Sequence, residues 1–161
     1  MLNPRAPLVL ADHISFMFER IKQNHDFINP FADEICLLYP EEYEVALLIK
    51  NLLDKEFTIN VSKDEVGFFT LHLYAARKNI VVSESVKNTR VIKELIAIIE
   101  AELQIIISKD LDYSRLMYHL RSCTERAIEG KQVKNPMLNM IKADLFQGYE
   151  VALKLRTKIK S

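Results

Sequence analysis

Two segments of this chain repeat one another, and a histidine recurs at the same place in both. His13 matches His119 at an offset of 106 positions, and this offset aligns the two segments without a gap. Between His13 and Lys55, eleven of the 43 aligned positions are identical. The other matches are Glu19, Arg20, Asn29, Pro30, Ile35 and the run Tyr43-Glu44-Val45-Ala46-Leu47. Such a repeat indicates a duplicated domain and constrains the fold before any other feature.

The composition favours helices and excludes a strongly basic surface. Hydrophobic residues make up 49% of the 161 residues, and there are only three glycines, which is typical of a well-packed helical protein. Residues 1–80 carry eight basic and twelve acidic side chains, whereas residues 81–161 carry fourteen and ten. A neutral chain without a basic stripe is a poor candidate for direct nucleic-acid binding. The opposite charges favour contact between the halves or between protomers.

Several functional classes lack their sequence signatures. Cys36 and Cys123 are too few for a disulfide framework, so we predict reduced thiols and a cytoplasmic location. The N-terminus does not resemble a signal peptide, and no apolar run reaches eighteen residues, so we predict no membrane insertion. Zinc-binding, hydrolase and phosphate-loop motifs are absent. The spacing of His13 and His72 gives no support to a metal site. We therefore predict no metal, no cofactor and no enzymatic activity.

Hydrophobic periodicity predicts helices along the whole chain. The predicted helices cover 8–24, a segment opened by Asn29-Pro30, Pro40 to about Lys55, 63–77, 88–107, 113–129 and a last helix opened by Asn135-Pro136. Ser62 and Glu65 fit a capping box, and Asp112 is the predicted cap of the helix that stops at Gly130. Residues 57–61 are predicted to form a loop, and residues 78–87 a linker.

The two copies of the repeat are cut at different points. The first copy contains the helix with His72 but almost nothing ahead of His13. The second copy has the helix 88–107 ahead of His119 but ends before any counterpart of His72. We therefore expect a unit of about 106 residues and a chain that is a fragment of a longer protein.

The histidines are the residues with the clearest chemical potential. Imidazole can be a nucleophile, a proton carrier, a metal ligand or a phosphoryl acceptor. A histidine flanked by apolar residues is more often structural, and this interpretation stays open for His13, His72 and His119. The recurrence of His13 as His119 favours function, because packing alone does not require a histidine there. His25 lies in a polar loop and is interpreted as solvated.

Four motifs in order resemble one known family. They are LADHISF from Leu10, Asn29-Pro30, LYPEEYEVA from Leu38 and DEVGFFTLHL from Asp64. Together they resemble the PTS regulation domain (PRD), which occurs in tandem in bacterial transcriptional antiterminators of the BglG/SacY/LicT type. The glucose-type branch looks most similar. The segment from Tyr113 to Arg121 resembles the histidine segment of the following PRD.

The resemblance implies an all-α fold of tandem PRD-type helical bundles. Residues 1–80 would form the first PRD, with its leading helix largely missing. Residues 81–161 would form the second PRD, truncated and without its closing helix.

The resemblance also implies a mode of regulation. It implies reversible phosphorylation of His13, His72 and His119, with Asp12 orienting an imidazole. HPr and/or a sugar-specific enzyme II would donate the phosphoryl group, which would shift a homodimer equilibrium. Phosphorylation of the first domain would loosen the dimer and turn the parent protein off, and the second domain often responds with the opposite sign. RNA would be bound only by a domain outside this chain.

Two alternatives remain open at this point. PRDs also occur in DNA-binding activators of sugar operons, and the sequence upstream of Met1 would distinguish such an activator from an antiterminator. The chain could instead be a helical interaction domain that is never phosphorylated. A strong loss of stability in His13→Ala, without phosphoryl transfer to the wild-type chain, would favour that last hypothesis.

Overall fold

The chain folds into helices joined by short connections. The computed structural model describes residues 6–25, 27–131 and 133–160. Within these ranges the chain forms eight α-helices and no strand, which confirms the predicted all-α fold. None of these helices is long and apolar enough to cross a membrane. In chain order the helices are α1 (Ala6–Lys22), α2 (Ala32–Leu38), α3 (Pro40–Phe57), α4 (Lys63–Lys78), α5 (Val82–Leu103), α6 (Leu111–Ile128), α7 (Leu138–Asp144) and α8 (Phe146–Lys160).

The helix boundaries follow the sequence repeat. Both ends of α2 match those of α7 at the offset of 106, and α3 and α8 begin at equivalent positions. The prediction of a single last helix after Asn135-Pro136 is wrong, because the backbone breaks at Leu145 (φ −128°, ψ 45°). In the first copy the break between α2 and α3 lies at Tyr39, whose backbone has almost the same conformation (φ −131°, ψ 56°). Only the first break is followed by a proline, so the second does not depend on one.

Each Asn-Pro pair forms a turn ahead of its helix and does not supply the first residues of that helix. Asn29 Oδ1 accepts a hydrogen bond from the Phe31 N–H at 3.0 Å, and α2 begins only at Ala32. Asn135 Oδ1 accepts from the Met137 N–H at 2.9 Å in the same way. An asparagine side chain that bonds the backbone two residues ahead stabilises a turn. The predicted helix starts were therefore two residues early.

Two further boundary predictions are corrected by side-chain hydrogen bonds. Asp110, and not Asp112, caps α6, because its carboxylate accepts from the backbone N–H groups of Asp112 and Tyr113. The predicted linker over 78–87 is mostly helical, since α5 begins at Val82. Gly130 follows α6 with φ +67°, as its predicted role as a stop signal requires.

The chain divides into two compact units, one ending at Thr89 and the other beginning at Arg90. In the first unit α4 packs against α1, α2 and α3. Its core is made of buried apolar side chains, which are Met17, Ala46, Leu53, Val61, Val66 and Phe69. Burial of these apolar side chains supplies the main driving force for bringing α1 against α4. In the second unit α8 packs against α6 and α7.

Candidate functional site

The packing of α1 against α4 brings two of the predicted histidines side by side. The ring centroids of His13 and His72 lie 4.9 Å apart, and the ring planes are inclined by 44°. Both residues were candidates from the sequence, but no sequence pattern indicated that they form one cluster. The first unit therefore holds a histidine pair contributed by two helices.

Glu65 on α4 connects His13 to Arg20. Its Oε2 atom lies 2.9 Å from His13 Nε2, and its Oε1 atom accepts a hydrogen bond from Arg20 Nη2 at 2.6 Å. The Glu65 side chain is only 6% exposed, and the His13 side chain is 13% exposed. Burying a carboxylate is costly unless its oxygens are paired. The two partners together satisfy that requirement and fix the orientation of the carboxylate.

Helix periodicity explains why these four side chains meet. His13 and Arg20 are seven residues apart on α1, and Glu65 and His72 are seven residues apart on α4. Each pair therefore lies two turns apart on one helix face. This spacing is the sequence signal that could have identified Arg20 and Glu65 as site residues.

Glu65 was predicted in another role, as half of a capping box. One half of that box is present, because Ser62 Oγ accepts a hydrogen bond from the Glu65 N–H at 3.2 Å. The Glu65 carboxylate, however, bonds His13 and Arg20. The capping motif identified the start of α4 correctly. The partners of the Glu65 carboxylate, however, are set by the contact between α1 and α4.

Asp12, the predicted supporting residue, is exposed on α1. Among the described residues, the carboxylate that contacts the His13 ring is that of Glu65, and no hydrogen bond joins Asp12 to that ring. The predicted role of Asp12 therefore has no geometric support in this structure. Neighbours in sequence on a helix point in different directions, so adjacency to His13 did not imply contact.

Aromatic rings enclose the His13 imidazole. Phe68 stacks on it with 5.4 Å between ring centroids and an interplanar angle of 8°, and Phe69 meets it edge-on at 5.6 Å. Phe27 packs edge-on against Phe68, and the Arg20 guanidinium lies 5.0 Å from the Phe27 ring centroid. These contacts restrict rotation of the imidazole and lower the local polarity around it.

The environment of the cluster shifts two pKa values downward. Burial of Glu65 favours its neutral form, but the hydrogen bonds and charges of His13 and Arg20 outweigh burial, so its pKa lies below the usual range. Burial, together with the nearby His13, lowers the pKa of His72 to about 4. Near neutral pH, Glu65 is therefore a carboxylate and the His72 imidazole is uncharged.

The lowered pKa of His72 predicts a loss of stability in mild acid. The unfolded chain takes up a proton at this residue below about pH 6.5, whereas the folded chain does so only near pH 4. Stability is thus lost as pH falls from 6.5 toward 4, and we expect a decrease in the free energy of unfolding of about 2 kcal/mol by pH 5. Urea unfolding at several pH values measures this decrease.

Two variants isolate the contribution of His72 to that pH dependence. His72→Gln removes the titrating group and should flatten the curve between pH 7 and 5. His25→Gln removes an exposed histidine and should leave the wild-type curve unchanged. Equal pH dependence in the wild type and His72→Gln would contradict this prediction.

The second unit places its histidine in a different setting. His119 is exposed on α6, and its Nε2 atom lies 3.6 Å from Cys123 Sγ. Arg126, the repeat counterpart of Arg20, donates hydrogen bonds to Cys123 Sγ at 3.1 Å and to Ser122 Oγ at 2.9 Å. In both units a single side chain connects the histidine to the matching arginine. That side chain is Glu65 in the first unit and Cys123 in the second.

The described part of the chain contains no group of three or more histidine, cysteine, aspartate or glutamate side chains suited to holding a metal ion. His25 is exposed in the turn that follows α1. The structure therefore brings together His13 and His72, while His119 lies in the second unit and His25 outside both sites.

Comparison with known proteins identifies a domain in each half of the chain. The PRD domain model matches residues 7–76 and again residues 93–161. The two matched ranges contain His13, His72 and His119, and the first also contains the Glu65 network.

Curated relatives cover nearly the whole chain. It is 32% identical over 151 residues to the "GlcA/glcB genes antiterminator" of Staphylococcus carnosus, covering 92% of this chain and 53% of that protein. It is 31% identical over 144 residues to the "PtsGHI operon antiterminator" of Bacillus subtilis, covering 88% and 51%. It is 30% identical over 154 residues to "Protein GlcT" of Staphylococcus aureus, covering 94% and 54%. The chain thus spans about half the length of these relatives.

Proposed function

Because this chain belongs to the PRD domain family and carries two copies of the domain, we propose that it is the regulatory region of a bacterial transcriptional antiterminator of the glucose type. Two of the relatives are named antiterminators, which supports antitermination over the alternative of a DNA-binding activator. We retain residues 1–80 and 81–161 as the proposed domains. In this proposal RNA is bound by a separate domain of the parent protein, which acts in the cytoplasm.

The proposed control is reversible phosphorylation of His13, His72 and His119. HPr and/or a sugar-specific enzyme II of the sugar phosphotransferase system would supply the phosphoryl group. The observation that carries this proposal is the histidine pair beside Arg20, whose buried Nε atom has no hydrogen-bond partner among the described residues. A donor without a partner on an arginine that Glu65 links to His13 suits an added anion, because phosphoryl oxygens are strong acceptors.

The regulatory effect follows from the charge that phosphorylation adds. A phosphoryl group brings up to two negative charges to a cluster in which Glu65 is already ionised. Repulsion from Glu65 would favour rearrangement of the contacts between α1 and α4. A coupling of about 1–3 kcal/mol is sufficient to shift a dimerisation equilibrium. We propose that phosphorylation of the first domain loosens a homodimer and turns the parent protein off.

Phosphoryl transfer with purified components tests the proposal. The chain is incubated with phosphoenolpyruvate, enzyme I and HPr, with and without a glucose-class enzyme II, and phosphohistidine is mapped by mass spectrometry at neutral to alkaline pH. We expect phosphate on His13, His72 or His119, and loss of each signal in the matching alanine variant. His25→Ala is the matched control and should be phosphorylated like the wild type.

Sedimentation of the same samples tests the regulatory step. Phosphorylation of the first domain should weaken the dimer by about 5- to 150-fold in dissociation constant. An unchanged dimer would contradict the proposed mechanism while leaving phosphorylation intact. No phosphate on any histidine with any donor would favour the unphosphorylated interaction domain.

A further inference from the structure

The hydrogen bond between His13 and Glu65 identifies which imidazole nitrogen carries the proton. A carboxylate can only accept hydrogen bonds, and the network keeps Glu65 ionised. The His13 Nε2 atom, 2.9 Å from Glu65 Oε2, must then be the donor. In a neutral imidazole the other nitrogen holds the lone pair. Nδ1 is therefore the nucleophilic atom of His13.

Glu65 has little freedom to release this arrangement. Its second oxygen is held by Arg20 Nη2 at 2.6 Å, and its backbone N–H is bound by Ser62 Oγ in the first turn of α4. The imidazole is held in turn by the stacked Phe68 ring and the edge of Phe69. Rotation of the ring by 180° about the Cβ–Cγ bond would place Cε1 where Nε2 lies and so break the hydrogen bond to Glu65, and the intermediate angles would disturb both aromatic contacts.

We infer that Glu65 is a positioning residue that selects Nδ1 of His13 as the phosphoryl acceptor. This inference rests on the proposed function. The Nδ1 lone pair attacks the phosphorus of a protein phosphohistidine donor, the donor's N–P bond breaks, and its electron pair returns to the donor imidazole. The proton stays on Nε2, so the phosphorylated ring is cationic. The Glu65 carboxylate stabilises that positive charge, as carboxylates do for imidazolium groups elsewhere.

The inference is specific to His13. Among the described residues the His72 ring contacts His13, but no carboxylate accepts a hydrogen bond from it. His119 faces the Cys123 thiol at 3.6 Å in place of a carboxylate. Within the described part of the chain, neither residue has a partner that fixes one nitrogen as the proton carrier in the way that Glu65 does.

Two NMR measurements on the full chain test the assignment. Long-range ¹H–¹⁵N correlation of the unphosphorylated chain reports the tautomer of His13, which we expect to carry its proton on Nε2. The chain with His72→Ala and His119→Ala is then phosphorylated by HPr or enzyme II. The position of the phosphate on His13 is read from ³¹P–¹H correlation. We expect phosphate on Nδ1 alone.

Substitutions at Glu65 separate positioning from a purely structural role. Glu65→Gln can still accept a hydrogen bond from Nε2 but has no charge to stabilise the cationic ring. It should keep phosphate on Nδ1 and slow transfer by roughly a hundredfold. Glu65→Ala should give a mixture of the two nitrogen isomers. Circular dichroism confirms folding of each variant, and the wild-type isomer decides the assignment even if Glu65→Ala fails to fold.

The outcomes distinguish this inference from the proposed function. Three results would overturn the assignment and leave the proposed function standing. The first is phosphate on Nε2 of His13, and the second is a proton on Nδ1 in the free chain. The third is phosphate that never reaches His13 while His72 accepts it. No phosphate on any of the three histidines would contradict the proposed function itself, and with it the acceptor assignment.

Discussion

Replacing Phe69 with alanine is expected to lower the free energy of unfolding by about 3–5 kcal/mol. The Phe69 side chain is fully buried in the core of the first unit, and its ring edge faces His13. The substitution removes buried apolar surface and leaves a cavity that the rigid helices can close only in part. Urea unfolding followed by circular dichroism measures the loss.

An exposed phenylalanine of the same chain provides the control for Phe69→Ala. Phe16 lies on α1 with 66% of its surface exposed. Its replacement by alanine should change the free energy of unfolding by less than about 0.5 kcal/mol. Similar losses in Phe69→Ala and Phe16→Ala would mean that burial at position 69 does not stabilise the fold as the packing indicates.

Glu65→Ala should produce the second largest loss, about 2–4 kcal/mol at pH 7. Removing one member of a buried charged network leaves its partners without compensation, and here Arg20 and His13 both lose their acceptor. The effect is smaller than for a fully buried ion pair because the Arg20 side chain is 26% exposed and retains some contact with water. Thermal and urea unfolding at pH 7 measure it.

Two acidic residues on α1 provide matched controls for Glu65→Ala. Glu19 is 60% exposed and pairs with Lys22 one helical turn away, so Glu19→Ala should cost less than about 1 kcal/mol. Asp12→Ala should be similarly mild, because Asp12 is exposed. A large loss in Asp12→Ala with a small loss in Glu65→Ala would reverse our assignment of the carboxylate that supports His13.

The helices could be predicted from the sequence because their causes are local. The predicted bounds of α1, α3, α4 and α6 lie within two residues of the observed ones at every end. Three of the errors arose where a side chain bonded the backbone at a residue other than the expected one. Asn29 and Asn135 form turns, and Asp110 takes the capping role predicted for Asp112. Local patterns at these places allowed several hydrogen-bonding choices, and packing selected one of them.

The candidate site was only partly predictable because its contacts join distant parts of the chain. The sequence identified His13 and His72 separately, and the structure brings their rings together. Asp12 was favoured as the supporting carboxylate because it is adjacent in sequence, whereas Glu65 is adjacent in space. Such long-range pairs depend on how α1 lies against α4, which no local pattern records.

The backbone breaks at Tyr39 and Leu145 show what the duplication has preserved. The two breaks have similar dihedral angles, although Pro40 follows one and Phe146 the other. The spacing between turn, short helix and long helix has therefore been inherited more faithfully than the residues that produce it. In the segments that begin at Asn29 and Asn135, the turn, the short helix and the start of the long helix fall at equivalent positions. Exchanging these segments between the two copies would therefore require no change in chain length.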